Sequence, residues 1–136
     1  MEWTRSGDDL LVRIDPGEEI HASLQKLADE LGFSAAAVTS GIGRTRDNVY
    51  GYMNNDGIYI KRNLEQPSEL VSLSGNIART QDGKAFTHIH CCWADDDSNV
   101  HAGHMFSCTV DVVAEIHVRL MLQAIMTRCP LADVQL

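Results

Sequence analysis

The sequence predicts a single α+β domain, mainly antiparallel β-sheet with one amphipathic helix. Two kinds of pattern carry that expectation. The stretch from Ile20 to Leu31 repeats its apolar residues at helical spacing, while several other stretches alternate with a period of two. Two turn signals, Asn54-Asn55-Asp56-Gly57 and Gln81-Asp82-Gly83-Lys84, then separate neighbouring strand candidates closely enough for antiparallel pairing. With 136 residues, 44% of them hydrophobic, the chain is long enough for one well-packed core and too short for two ordinary domains, so residues 1–136 are expected to form one unit.

Leu10 to Ile14 is aliphatic and reads as a first strand, ended by Asp15-Pro16-Gly17. In the helix that follows, Ile20, Leu24, Leu27, Ala28 and Leu31 form the apolar stripe. Glu18 and Glu19 sit where negative charge suits a helix N-terminus, and Gly32 can end the helix in a left-handed conformation. His21 reads as a solvent-facing helix residue. Phe33 to Thr39 is a candidate buried strand, and Ser40-Gly41-Ile42-Gly43 a glycine loop suited to tight backbone packing or a pocket wall. It lacks the glycine patterns that cradle phosphate. Asn48 to Met53 and Ile58 to Lys61 form a hairpin around Asn54–Gly57.

Arg44, Arg46, Lys61 and Arg62 are the one local basic grouping, read as a solvated rim. Glu69 to Ala78 is the next strand, with Leu70, Ser72, Ser74 and Asn76 on one parity and Val71, Leu73 and Ile77 on the other. Gln81–Lys84 turns it back into Ala85 to Trp93. The last β-region, Met105 to Leu122, reads as two strands or one long bent strand. Within it Glu115, His117 and Arg119 alternate with Ile116, Val118 and Leu120, so Glu115 and His117 are either an outward polar face or partners that orient a metal-bound imidazole.

Chemistry concentrates between Thr87 and His104. On a strand, alternation puts His88, His90 and Cys92 on one face and Ile89, Cys91 and Trp93 on the other. Asp95 to Asn99 is polar enough to be a turn, which brings His104 back beside the His-Ile-His pair. Three neutral imidazoles supply three of the four ligands of a tetrahedral Zn²⁺ and leave the fourth position open, although nickel, cobalt, iron or copper would also suit them. Without a metal, the same residues are hydrogen-bonded histidines on a half-buried sheet face. Cys92 is a candidate fourth ligand or redox-sensitive thiol beside its plainer role as a small packed side chain.

Composition narrows the partners. Nineteen acidic against eleven basic residues give a net charge of -8, a field that repels phosphate backbones and anionic membranes. No apolar run reaches the roughly 18 residues of a membrane span, and the first residues do not form a signal peptide, so a soluble cytoplasmic protein is expected. The four cysteines lack a Cys-x-x-Cys spacing, and reduced thiols are expected.

Glu69–Ile77, His88-Ile89-His90 and Ala102-Gly103-His104-Met105 together closely resemble the plant and prokaryote conserved (PPC) domain. Ser40-Gly41-Ile42-Gly43 and Glu115-Ile116 fit in the same order. Ala102 and Met105 stand where that family usually has glycine and leucine. The resemblance, to the stand-alone prokaryotic type, implies an α+β homotrimer in which the positions of His88, His90 and His104 are zinc ligands. Plant members carry a DNA-binding label because they join the domain to an AT-hook centred on Arg-Gly-Arg, which this sequence lacks.

A more distant likeness to acetolactate decarboxylase and to a zinc ester-hydrolase family supports an enzyme alternative. Three functions follow: a regulatory metal-binding module for an unidentified small ligand or protein partner, a zinc-dependent hydrolase or lyase, and a DNA-binding protein. The enzyme requires an acid or base near the metal, for which Glu69, Glu115 and Arg79 are candidates, and Asn76 is a further possible pocket residue.

Overall fold

The structure, a computed structural model, describes residues 1–129. It contains strands β1 (Glu2–Ser6) and β2 (Asp9–Ile14), helix α1 (Ile20–Leu31), then β3 (Ala36–Met53), β4 (Tyr59–Leu64), β5 (Ser68–Thr80), β6 (Ala85–Ala94), β7 (Val100–Leu120) and β8 (Thr127–Arg128). The strand order is β1-β2-β7-β6-β5-β3-β4, and β3 also pairs directly with β7. That additional pairing closes β7, β6, β5 and β3 into a ring, which removes the free edges these strands would otherwise present. All these pairings are antiparallel; β8 alone runs parallel, beside the end of β5.

α1 forms where the apolar spacing and caps predict. The Glu19 carboxylate accepts from the Ala22 N–H at 2.7 Å, and Gly32 (φ 70°) closes the other end by donating its N–H to the Ala28 carbonyl. Ile20, Leu24, Leu27 and Ala28 are fully buried as one core with Leu10, Val12 and Ile14 of β2, Ile89 and Trp93 of β6, and Ile116 and Val118 of β7. Removing such side chains from water is the main stabilising contribution, roughly 1.5–3 kcal/mol each.

Three expectations need correction. Ser40–Gly43 is not a loop: β3 runs straight through it. A Cβ on Gly43 would meet the Val113 carbonyl oxygen at 2.1 Å, so the glycines allow β3 to lie against β7. His21 does not face solvent. Its Nε2 donates to the Met105 carbonyl at 3.0 Å, and its Nδ1 accepts from the Thr87 hydroxyl at 2.6 Å, because strands flank both sides of the helix stripe. Strict alternation along β5 also fails. A register shift between Leu70 and Ser72 turns Leu70 and Leu73, of opposite parity, both into the core.

Candidate metal centre

Along β6 the alternation holds without interruption. Thr87, Ile89, Cys91 and Trp93 are buried, while His88, His90 and Cys92 occupy the other face. The turn to β7 is built on Asp95, whose carboxylate accepts from the backbone N–H groups of Asp97 and Asn99 while Ser98 takes a φ of 63°. His101 Nε2 lies 2.9 Å from Asp95 Oδ2, and its Nδ1 lies 3.0 Å from the Tyr50 hydroxyl, so the start of β7 is held from both sides. The hydrogen bond from His101 is the chief reason that the Asp95 carboxyl is lowered to about 2. With the turn fixed, His104 lies directly opposite His90.

The three rings then converge. Their centroids are 5.2 Å apart for His88 and His90, 5.1 Å for His88 and His104, and 5.4 Å for His90 and His104. One nitrogen from each lies within 4.8 Å of the others, which is close enough for these side chains to hold a metal ion. Across a tetrahedral zinc the separation is about 3.4 Å, given bonds of about 2.0–2.1 Å. To reach that spacing the three nitrogens would draw together by at most about 1.4 Å.

Two nitrogens, His88 Nε2 and His104 Nδ1, are enclosed with no hydrogen-bond partner among the described residues. An unsatisfied buried polar atom costs about 1–3 kcal/mol, and a cation between the rings is one way to satisfy both. Burial, followed by neighbouring positive groups, pushes both imidazoles down, His104 to about 4. They are neutral at pH 7, the state in which imidazole binds metal.

Among the other sequence candidates, Asn76 is in register with His88, and Cys92 lies beside His90 in a cleft of about 410 Å³ with Ser72, Ser74 and Ala102. Cys92 is outside the group of converging nitrogens. Glu69 is exposed, its backbone in register with Ala94 and Arg44. Glu115, also exposed, is in backbone register with Arg13 near the other end of β7. The Arg79 guanidinium is committed to the carbonyls of Ala28 and Phe33 and to Asp29. His117 lies at Thr39 and Asp9. Two members of the basic grouping, Arg44 and Arg46, pair with Asp111 at 3.4 and 3.8 Å.

Sequence reasoning missed four neighbours of the triad. Tyr59 and Phe106 pack on His104 with centroids at 5.2 and 4.7 Å, and Lys61 Nζ stands 4.3 Å over the Phe106 ring. Arg128 Nη2 donates to Asn76 Oδ1 at 2.6 Å and lies 3.3 Å from His88 Nδ1. Arg128 arrives through the parallel pairing of the two-residue β8 with β5, an element too short to leave a pattern.

Residues 1–121 match the family model of the Plants and Prokaryotes Conserved (PCC) domain. The chain is similar to the crystal structure of a plant- and prokaryote-conserved protein of Pyrococcus horikoshii, with 27% identity, 96% of this chain and 87% of that one covered, and a TM-score of 0.84. It is also similar to a metal-containing protein of Archaeoglobus fulgidus, with 35% identity, 88% and 82% coverage, and a TM-score of 0.77. A candidate DNA-binding protein of Bacteroides thetaiotaomicron shares the fold at 22% identity, 99% and 93% coverage, and a TM-score of 0.89. No curated protein matches the chain. The strand order, the histidine triad and the match over residues 1–121 agree, and the chain belongs to the Plants and Prokaryotes Conserved domain family.

Proposed function

We propose that His88, His90 and His104 bind a divalent transition metal, zinc in the first instance, in a homotrimeric cytoplasmic protein that recognises a small ligand or partner in regulation. The carrying observation is the convergence of three imidazoles with two enclosed nitrogens lacking partners. Three histidines leave one coordination position for an exchangeable ligand. The metal-containing Archaeoglobus relative, at 35% identity, supports the same reading.

Recognition is favoured over hydrolysis because, among the described residues, the side chains lining the clefts at His90 and His104 include no carboxylate. Glu69 and Glu115 are exposed and do not line either cleft, and the Arg79 guanidinium is engaged by backbone carbonyls at the end of α1. Direct DNA binding draws little support from a net charge of -8 and from arginines paired with Asp111. No helix of the described residues is long and apolar enough to cross a membrane. Self-association is supported by exposed Trp3 and Leu11, which line a cleft with Glu115, and by exposed Ile42 in register with Glu115.

Elemental mass spectrometry on tag-free protein tests the metal. About one zinc per chain is expected, with loss in His88→Ala and in His90→Ala. Wild-type metal content in both variants would overturn the assignment.

A further inference from the structure

Arg128 brings a positive charge to a place where the described residues supply no negative one. Its side chain is half-buried, its guanidinium carbon is 5.4 Å from the Phe86 ring centroid, and its Nε is enclosed without a hydrogen-bond partner. Among the described residues, the acceptor that it clearly engages, Asn76 Oδ1, is neutral. Among the described residues, the clefts at His90 and His104 hold no carboxylate, while Arg128 lies 3.3 Å from His88 and Lys61 stands over the Phe106 ring that packs on His104. Neutral imidazoles do not offset a divalent cation, so a loaded centre would set two more positive charges beside the guanidinium. Uncompensated charge away from water is costly, and an anion is the direct remedy.

The contact with His88 points the same way. If the free Nε2 takes the metal, the ring proton resides on Nδ1 and opposes the Arg128 N–H at 3.3 Å. Arg128 then loses an acceptor, and its donors are available to a ligand. A guanidinium presents paired N–H groups that match the two oxygens of a carboxylate. His104 lines a cavity of about 330 Å³ whose apolar walls are Tyr59, Phe86, Met105 and Phe106 and whose polar wall is His21, Gln25 and Thr87; Arg128 stands over the Phe86 ring, and the volume is at the lower end of the range for small-molecule pockets.

We propose, building on the metal reading above, that the ligand completing this centre is a small organic carboxylate with an apolar body, its carboxylate held between the metal position and Arg128. The apolar body lies against Phe86, Phe106 and Tyr59. Arg128 is the residue that selects the acid over its uncharged analogue.

Calorimetric titration of the zinc-loaded protein tests this, with acetate, 3-methylbutanoate and phenylacetate as probes and phenylacetamide as the uncharged control. Saturable binding of an acid is expected, strongest for those with an apolar body, and none of the amide. Arg128→Gln should keep its zinc and bind the acid at least tenfold more weakly, while Arg128→Lys recovers part of the loss. Binding in Arg128→Gln equal to wild type, equal binding of acid and amide, or response to inorganic phosphate alone would each overturn the inference. So would a zinc-loaded wild type that ignores all three acids, an outcome that leaves the metal reading intact. A chain that takes up no zinc instead fails at the metal itself, before any acid is added.

Discussion

Gly75 of β5 and His88 of β6 are so close that a Cβ on the glycine would stand 2.0 Å from the His88 carbonyl oxygen. The contact is backbone to backbone, so no rotamer change relieves it. Gly75→Ala should therefore push β5 away from β6 where two of the candidate ligands are carried. We expect a loss of about 1–3 kcal/mol, the usual scale of overpacking, together with weaker zinc uptake. Urea unfolding and metal content check both, and an alanine variant with wild-type stability would show that the strands separate freely.

Metal addition should stabilise the folded chain by linkage. At free zinc about a hundredfold above its dissociation constant the gain is about 2.7 kcal/mol, readable as an upward shift of the thermal midpoint on zinc addition and its reversal by chelator. His104→Ala should show no such shift. A shift as large in that variant would place the metal elsewhere.

Trp93 is fully buried, its ring centroid 5.6 Å from that of Tyr50, and its indole N–H donates to Thr45 Oγ1 at 2.9 Å while Thr45 donates to Asn48 Oδ1. Trp93→Ala should cost about 3–5 kcal/mol through the cavity it leaves. Thr45→Val should cost about 1–3 kcal/mol by stranding the indole donor. Chemical denaturation measures both, and a neutral Thr45→Val would mean that the indole finds another acceptor.

Arg79 fastens the end of α1 to β5 through the Ala28 and Phe33 carbonyls. Arg79→Ala should lower stability by about 1–3 kcal/mol, in keeping with charged hydrogen bonds, and leave zinc content unchanged. A loss of zinc with unaltered stability would instead return Arg79 to the list of site residues.

Asp95 gives the pH dependence its sign. Folding lowers its carboxyl to about 2, chiefly through His101, so the ionised form favours the folded state. Its contribution is present above the ordinary carboxylate range and disappears as pH falls through about 2. Asp95→Asn should be less stable than wild type at pH 6, with the gap closing towards pH 2. Denaturation across that range decides it; a gap independent of pH would assign the effect to turn geometry alone.

The elements that could be read from sequence were those with one dry and one wet side. α1 and β6 each bury a single stripe or face, and Gly32, Gly57 and Gly83 mark their ends and turns with positive φ. The triad was legible for the same reason, since β6 alternates without a bulge and one polar turn returns His104 to it. β1 was not foreseen because all five of its residues are exposed, so it carries no apolar pattern. The continuity of β3 through Gly41 and Gly43 was hidden because glycines permit both a loop and a close strand crossing. Arg128, Tyr59 and Phe106 became neighbours of the histidines only through pairing between distant segments, and no local spacing records that.

The closed ring has a consequence for the order in which the chain acquires its shape. His88, His90 and His104 all belong to one hairpin, whose short loop costs little entropy to close. The contact of β3 with β7 joins distant segments and, as a non-local pairing, is the slow step of such a topology. If the chain binds zinc as proposed, the three histidines could meet the metal within this hairpin before the ring closes. Metal supply would then set how quickly the protein matures as well as how firmly it stays folded.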